Sequence, residues 1–371
     1  MAGMEVLGWG VVAAALVTKF SRRERLDFPL WIPLVILVLA VLASLLGRPL
    51  SRPFSFQMGF MRWIALMWGL YWALSLVWSE KFERRLMWTW AAGLVGAGLY
   101  ACFQCVTGID LIRPARGVIV SRGSLFKAVG FFSMSLTFAF SVGMSTFALT
   151  FPALKRWGVR GATPVAVLGG LGILTAFSRG GWIALVLVLA FYVLCEFPRY
   201  FLPFLAAIVA IVTALVTFSE GFADKIGGLL ALQMDHSSSV RLDLWSAYLK
   251  MFGDNPWRGV GLFEGDRLLP AYYAALGIEQ PFASHAHNVP LQWAAGAGTF
   301  ALAAYLAFVF GLLKRAWDLR KATPWGWSLL LAQLYLHIGG MTEANFFDGE
   351  VNHMAVMIFA LTLHFSRMKR D

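Results

Sequence analysis

Two histidines and two arginines are the side chains in this sequence best placed to do chemistry. His285 and His287 stand just before an apolar run that begins at Val289, and Arg179 and Arg241 stand beside other apolar runs. Histidine suits general-base catalysis near neutral pH. An arginine guanidinium grips phosphate with a planar fork of donors and never deprotonates. These side chains therefore suggest acid–base chemistry next to an anionic group.

His287 precedes residues that begin helices well. Asn288 is a good N-cap and Pro290 is tolerated in a first turn, so we expect His287 at the lip of a helix. His285 and His287 are two residues apart, which suits neither i,i+4 metal ligation nor a HExxH pattern. The spacing favours acid–base chemistry over a metal site, with a simple interfacial histidine as the alternative.

Arg179 lies in the sequence Ser178-Arg179-Gly180-Gly181, between two apolar runs. Glycines permit a tight turn, and backbone N–H groups beside a fixed cation can bind an anion. The alternative is an arginine that reaches lipid phosphates at the membrane surface.

Arg241 stands in the predicted first turn of a helix capped by Ser239. The apolar residues of this helix recur at helical spacing: Leu244, Trp245, Tyr248, Leu249 and Phe252. We expect the helix to lie flat on the membrane surface. A cation in the first turn opposes the helix dipole, which suggests an anionic partner; a plain interfacial arginine is the alternative. Pro256 ends the helix, and we interpret the turn at Gly259 and Gly261 as structural.

Two further groups of polar residues fall in predicted loops. One could orient an acceptor or His287, or be a solvated loop: Glu343, Asp348, Glu350 and His353. The other is basic and could receive a phosphate: Arg113, Arg116, Arg122 and Lys127.

The elements that position these residues are membrane spans. Of the 371 residues, 59% are hydrophobic and 14% charged, against about a quarter charged in soluble chains. The apolar residues form runs of about twenty, the length that crosses a hydrocarbon core. We predict one all-α integral membrane domain over residues 1–371 with about 11–12 transmembrane helices. Eleven can be bounded: Met4–Val17, Phe28–Leu46, Met58–Val77, Leu86–Cys105, Val129–Phe151, Ala162–Phe177, Trp182–Leu194, Tyr200–Phe218, Val289–Leu313, Trp325–Met341 and Val351–Phe365.

The loops between these spans alternate in charge. Short basic loops mark the cytoplasmic side, which places the loop 220–287 outside, as one large loop that contains the interfacial helix. The net charge of +11 follows from the same bias, so we expect contacts with membrane lipids and no nucleic acid.

Three stretches of the sequence resemble the O-antigen ligase and polysaccharide polymerase superfamily. They are the Ser178-Arg179-Gly180 turn, the helix from Arg241 to Trp245 that leads into residues 254–261, and His287-Asn288 followed by nine residues and Gly298. Their order around a large outer loop matches the family, and the resemblance covers about residues 160 to 365. The ligase pattern usually continues Gly-x-x-Gly, but this sequence reads Gly298-Thr299-Phe300-Ala301. That departure weakens the choice of ligase over polymerase.

The resemblance implies a metal-independent, inverting glycosyltransferase of the large-loop helical class (GT-C-like), without a cofactor. Such an enzyme is a multi-pass protein of the bacterial inner membrane with its active site facing the periplasm. Its donor is a glycan on undecaprenyl diphosphate, and its acceptor is lipid A core for a ligase or a lipid-linked glycan for a polymerase. By resemblance, His287 is the catalytic base, and Arg179 and Arg241 hold the diphosphate. The supporting residues expected around them are Asn288, His285, Glu343, Arg116 and Arg122.

Two other classes of protein are the alternatives. A transporter of lipid-linked sugars places charged sites near the bilayer midplane, on broken helices in repeated halves. Here the polar groups lie at the ends of spans and no inverted repeat is evident. A non-catalytic scaffold for polysaccharide assembly is the other alternative.

Overall fold

The structure is a computed structural model that describes residues 2–113, 119–230, 236–279 and 282–370. The chain is an all-α integral membrane protein, and the regular structure of these residues is helical apart from one short hairpin, Ser121–Arg122 (β1) with Leu125–Phe126 (β2). The helices are α1 (Ala2–Ser21), α2 (Trp31–Leu45), α3 (Phe54–Gln57), α4 (Met61–Val77), α5 (Glu80–Thr107), α6 (Ser135–Thr175), α7 (Arg179–Glu196), α8 (Phe201–Phe218), α9 (Glu220–Leu230), α10 (His236–Asp254), α11 (Gly265–Leu276), α12 (Val289–Leu319), α13 (Pro324–Gly339) and α14 (Gly349–Met368).

The eleven predicted spans coincide with helices over most of their length. Five helical segments are each long and apolar enough to cross a membrane, namely α5, α6, α7, Pro198–Phe218 and α12, and α2 and α4 are shorter apolar helices. The predicted fifth and sixth spans are joined in α6, whose 41 residues are interrupted at Gly158 (φ 67°). The loop predicted between those spans is therefore a kink.

The chain forms two compact units. The first contains Met1–Trp78, Asp235–Leu319 and Gly340–Asp371, and the second contains Ser79–Met234 and Arg320–Gly339. In the first unit α4 packs against α1 and α14, and α12 packs against α2, α10 and α14. In the second unit α6 packs against α5, α7 and α13.

Helix α12 of the first unit is broken at Gly298, where the backbone leaves helical geometry (φ 83°, ψ −174°). A break in a membrane helix leaves backbone groups that need new partners, and the segment 256–261 supplies them. Three backbone hydrogen bonds join the two: Val260 N to Ala295 O (2.8 Å), Gly261 N to Gly296 O (2.8 Å) and Thr299 N to Pro256 O (2.7 Å).

Glycines permit the close approach of these two segments. A Cβ atom on Gly298 would stand 2.3 Å from Trp257 O, and one on Gly259 would stand 2.4 Å from the carbonyl carbon of Gly296. Next to them, the Arg258 guanidinium donates to the carbonyls of Ala43 and Leu46 at the end of α2. The interpretation of this turn as structural agrees with these contacts, and the segment is docked along the broken helix.

Helix α10 begins four residues earlier than predicted, since the cap expected at Ser239 would make Val240 its first residue. Its first residue is His236, so Ser239 lies inside the helix and is not its N-cap, and Arg241 lies in the second turn. The prediction missed this turn because His236-Ser237-Ser238-Ser239 is polar and carries no apolar periodicity. The end at Asp254, before Pro256, agrees with the prediction. The buried face of α10 packs against α11 and α12 through these residues: Val240, Leu244, Ala247, Tyr248 and Met251.

Candidate functional site

Three of the predicted site residues meet in the first unit. Glu343 accepts at both carboxylate oxygens: Oε2 lies 2.9 Å from His287 Nδ1, and Oε1 pairs with Arg241 Nη2. Only 6% of the Glu343 side chain is exposed, and a buried carboxylate is costly unless it is paired and hydrogen-bonded. Glu343 therefore joins the two candidate functional residues directly.

The backbone around His287 is held in an unusual conformation. His287 has a φ of 47°, in the left-handed region that residues other than glycine seldom adopt. Asn288 caps α12 as predicted, since its Oδ1 accepts from Leu291 N (2.9 Å), and its Nδ2 donates to Met341 O (2.9 Å). Val289 N also donates to the carbonyl of Gly340 (2.7 Å). These bonds fix the start of α12 to the segment that carries Glu343.

Gln292 is a functional candidate that the sequence reasoning missed. Its side chain is 1% exposed. Its Oε1 accepts from Ala286 N (3.0 Å) and its Nε2 donates to Leu262 O (2.6 Å), so it ties the histidine segment to the docked segment before α11. The signal for it in the sequence is a single side-chain amide within an apolar run, five residues after His287. Burying a polar group in a membrane costs free energy, so such groups are usually functional.

The hydrogen bond to Glu343 assigns the two nitrogens of His287. An ionised carboxylate accepts hydrogen bonds and donates none. Paired with the Arg241 guanidinium, Glu343 is such an acceptor, so Nδ1 of His287 carries a proton, and in the neutral ring the lone pair lies on Nε2. The geometry thus leaves Nε2 as the basic atom of the site.

His285 lies beside this pair, with its ring centre 4.2 Å from that of His287. The pKa of His285 is lowered by partial desolvation of the ring and, secondly, by His287. His285 is therefore neutral near pH 7, which limits the positive charge next to His287. Its Nδ1 lies 3.3 Å from Ser284 Oγ.

Arg179 belongs to the second unit, where it is the first residue of α7. Ser178 caps this helix, because its Oγ accepts from Gly181 N (3.2 Å). Phe177, the residue before the cap, has a φ of 48°, which makes the turn between α6 and α7 tight. The start of α7 packs closely against α13, since a Cβ on Gly181 would lie 3.1 Å from the hydroxyl of Tyr335. Arg179 thus stands at a well-fixed helix N-terminus.

One arginine of the basic loop before α6 holds the loop together. Arg113 bonds to Asp110 (3.1 Å) and to the carbonyl of Gly130 (3.1 Å), so its guanidinium is engaged in holding the loop. Arg122 lies in the hairpin beside α9, where a Cβ on Gly221 would stand 2.3 Å from Arg122 O. Arg116 lies outside the described residues.

Among the described residues, no group of three or more His, Cys, Asp or Glu side chains is arranged to hold a metal ion. The chemistry that the His287, Glu343 and Arg241 side chains can perform by themselves is proton abstraction beside a fixed positive charge.

Residues 164–306 match the family described as O-antigen ligase. The match includes Arg179, Arg241 and His287, and it ends before Glu343. No curated protein matches the chain. The family supports a glycosyltransferase-like activity of the ligase or polymerase type on lipid-linked glycans. The resemblance to the O-antigen ligase superfamily that the three sequence motifs indicated is therefore confirmed over residues 164–306.

Proposed function

We propose that this protein is a glycosyltransferase that moves a glycan from undecaprenyl diphosphate to lipid A core, at the periplasmic face of the bacterial inner membrane. The observation that carries the proposal is the hydrogen-bonded group of His287, Glu343 and Arg241. Two of its members lie in the region that matches the family. The third fixes the tautomer that a general base needs.

The reaction is a direct displacement at the anomeric carbon. His287 Nε2 takes the proton of an acceptor hydroxyl, and the acceptor oxygen forms a bond to the anomeric carbon on the face opposite the diphosphate. The bond from that carbon to the diphosphate breaks, its electron pair leaves with the diphosphate, and the configuration inverts. The energy comes from the phosphoester linkage of the donor, so no nucleotide or metal is required.

The charged residues act at the two ends of this displacement. Glu343 holds His287 in orientation and stabilises the imidazolium that forms after proton transfer. Arg241 and Arg179 bind the diphosphate, on which negative charge grows in the transition state, so their contribution is larger there than in the ground state. Arg241 has five N–H donors, and its bond to Glu343 is made through Nη2, so the same guanidinium can bridge carboxylate and phosphate.

Replacement of His287 tests the proposed base. We expect His287→Ala to insert normally and to lose glycan transfer by about 10²–10⁴-fold, the usual contribution of a positioned base. The measurement is the transfer rate of purified protein with a lipid-linked glycan donor and lipid A core. Full activity of a stably inserted His287→Ala protein would contradict the mechanism.

Complementation in two strains separates a ligase from a polymerase. The second candidate is a polymerase, which extends lipid-linked repeats. It stays open because this sequence reads Gly298-Thr299-Phe300-Ala301 where the ligase pattern reads Gly-x-x-Gly. We expect expression of the gene to restore banded lipopolysaccharide in a strain that lacks its own ligase. Long chains restored only in a polymerase-deficient strain would establish the polymerase instead. Movement of lipid-linked glycan across the membrane without any transfer would favour a transporter.

A further inference from the structure

A second ion pair, formed by Arg52 and Asp266, lies in the first unit outside the group of His287, Glu343 and Arg241. Arg52 belongs to the loop between α2 and α3, and Asp266 belongs to the first turn of α11. Both side chains are partly exposed, 39% for Arg52 and 28% for Asp266. An ion pair this accessible to water contributes little to stability, so stability alone gives little reason for its position.

The backbone beneath the second ion pair is held by a buried carboxylate. Glu264 accepts from Ser51 N (3.0 Å) and from Arg52 N (3.4 Å). It also accepts from Gln57 Nε2 (2.6 Å). The loop that carries Arg52 is therefore fixed to the start of α11, two residues before Asp266. The two side chains of the pair are thus presented from fixed backbone positions, as the residues of a binding site need to be.

Tyr248 places the second ion pair next to the histidines. Its hydroxyl donates to the carbonyl of Ser284 (2.9 Å), the residue before His285. A Cβ on Gly265, the residue before Asp266, would stand 2.8 Å from the same hydroxyl. Desolvation lowers the pKa of His285 most strongly, and the charge of Asp266 acts against that lowering. The pair therefore adjoins the histidine segment both in backbone position and in charge.

The histidine segment extends along α10 between two charged groups. Arg241 and Tyr248 are seven residues apart, so they lie on one face of this helix, about 10 Å from each other. At Arg241 the helix is joined through Glu343 to His287, and at Tyr248 it is joined to Ser284. The end at Arg241 is the proposed diphosphate end, and the second ion pair marks the other end.

The second ion pair suits sugar hydroxyls better than a phosphate. Asp266 accepts from Arg52 through Oδ2 and from Arg267 N through Oδ1 (2.9 Å), and a carboxylate has lone pairs for further bonds. Among the described residues, the Arg52 guanidinium donates through Nη2 to Asp266, which leaves other N–H groups of its five for a ligand. A hydroxyl both donates and accepts, so two adjacent sugar hydroxyls can bond to both members. A phosphate would meet the Asp266 carboxylate as a like charge.

We propose that the second ion pair binds the acceptor glycan, with Asp266 accepting from one hydroxyl and Arg52 donating to its neighbour, while the attacking hydroxyl reaches His287 Nε2. The proposal rests on the proposed function, because only a transferase has an acceptor. It fits the displacement, in which the acceptor and the diphosphate lie on opposite sides of the anomeric carbon. It holds for a lipid A core and for a lipid-linked glycan alike.

Separate binding of the two kinds of ligand tests the acceptor subsite without glycan transfer. The probes are core oligosaccharide released from lipid A and inorganic diphosphate, each titrated against purified full-length protein in detergent. We expect Asp266→Asn to weaken oligosaccharide binding by at least about tenfold, the effect of losing one hydrogen bond to a charged group, and to leave diphosphate binding unchanged. Arg52→Gln should do the same. In transfer assays both variants should raise KM for the acceptor at an unchanged kcat.

Asp318→Asn is the matched control for these variants. Asp318 forms a partly exposed ion pair with Lys314 (2.7 Å) in the same unit, at the opposite end of α12 from His287. The change from acid to amide is the same as in Asp266→Asn, and it should leave the binding of both probes unchanged. Gel filtration verifies that all three variants remain folded.

The outcomes separate the acceptor subsite from the proposed function. Unchanged oligosaccharide binding in folded Asp266→Asn and Arg52→Gln, or an equal loss of both probes, would overturn the subsite even if the protein transfers glycan. Oligosaccharide binding that depends on Asp266, without any transfer, would support the subsite and contradict the proposed function. If the wild type binds only an oligosaccharide of the lipid-linked repeat, and Asp266→Asn weakens it, the subsite stands with the acceptor of a polymerase. A wild type that binds neither oligosaccharide would overturn the subsite.

Discussion

Glu343 is the side chain on which the candidate site depends, because Arg241 and His287 are both bonded to it and not to each other. It lies 56 residues from His287 and 102 residues from Arg241 in the sequence. Removing one partner of a buried ionic pair leaves an uncompensated charge, which is strongly destabilising. Arg241, His287 and Glu343 therefore form one unit in energetic terms, and changes at these positions should not be additive.

Glu343→Gln tests this coupling. The amide removes the charge and can donate a hydrogen bond to His287, which favours the opposite tautomer, with the proton on Nε2. We expect the turnover number to fall by at least about tenfold, as for other residues that orient a functional histidine. The measurement is the pH profile of the turnover number for Glu343→Gln, Glu343→Asp and the wild type.

Glu350→Gln is the matched control for this prediction. Glu350 lies in the first turn of α14, where its carboxylate faces the helix dipole, so its loss should cost about 0.3–1 kcal/mol of stability at most and leave the pH profile unchanged. Partial rescue by Glu343→Asp would show that the carboxylate matters. An identical pH profile for Glu343→Gln and the wild type would exclude a role of Glu343 in orienting His287.

The role of a single residue could be predicted from the sequence only where that role depends on its immediate neighbours in the chain. Asn288 was recognised as an N-cap because a cap is defined by its own residue type and the following turn. Glu343 appeared only as one member of an acidic loop, since its bonds to Arg241 and His287 join distant parts of the chain. Gln292 was missed for the same reason: its two partners are backbone groups, which have no sequence signature.

At the level of the elements, the broken helix α12 and the docked segment 256–261 hold the site in place. Residues of the docked segment pair with Ala295, Gly296 and Thr299, on the two sides of the break in α12. Because Gln292 also bonds to Leu262, the histidine segment and the docked segment form one hydrogen-bonded assembly. Its geometry depends on glycine where the two backbones approach most closely.

Gly298→Ala and Gly259→Ala should both prevent stable folding of this region. Each added methyl would meet backbone atoms at 2.3 or 2.4 Å, and both glycines have a positive φ. Backbone atoms cannot move aside to relieve such a clash as a flexible side chain can. We therefore expect a large drop in the amount of folded protein, measured by gel filtration after detergent extraction. Gly253→Ala is the control, because no atom lies within 4 Å of its added methyl; it should be neutral or slightly stabilising. Normal folding of Gly298→Ala would refute the requirement for a close approach.

The elements themselves were largely predictable, because a bilayer requires apolar runs of a set length. The sequence predicts a late start for α10, since its first turn is polar. Composition alone predicts a loop at the kink in α6, because Lys155 and Arg156 are typical of a connection between spans. The pairing of segment 256–261 with α12 could not be predicted, since Gly259 and Gly261 permit both a flexible turn and a close contact.

At the level of the whole molecule, the two units alternate along the chain, and the O-antigen ligase match extends over parts of both. His287, Glu343 and Arg241 all belong to the first unit. Arg179 belongs to the second. The charge pattern of the loops predicts that the segment 220–287 lies outside the cytoplasm, and this orientation can be tested with thiols.

Cys195 is a natural reporter of orientation, because it is exposed near the end of α7 that the charge pattern places in the cytoplasm. In a Cys102→Ser, Cys105→Ser background, we expect Cys195 to react with a membrane-impermeant maleimide only after permeabilisation. An Ala271→Cys variant of the same background, with Cys195 also changed to Ser, places a thiol on the exposed surface of α11 and should react in intact spheroplasts. The reverse pattern would place His287 on the cytoplasmic side and would rule out a periplasmic donor.

The break in α12 also bears on how the protein is made. A ribosome synthesises the segment 256–261 before α12, so the backbone groups that satisfy the break already exist when the broken helix emerges. A helix interrupted at Gly298 would otherwise enter lipid with unpaired carbonyl and N–H groups, which the hydrocarbon does not tolerate. The order of the two segments along the chain thus lets each nascent molecule supply its own partner for the break, without help from a second chain or from a late rearrangement.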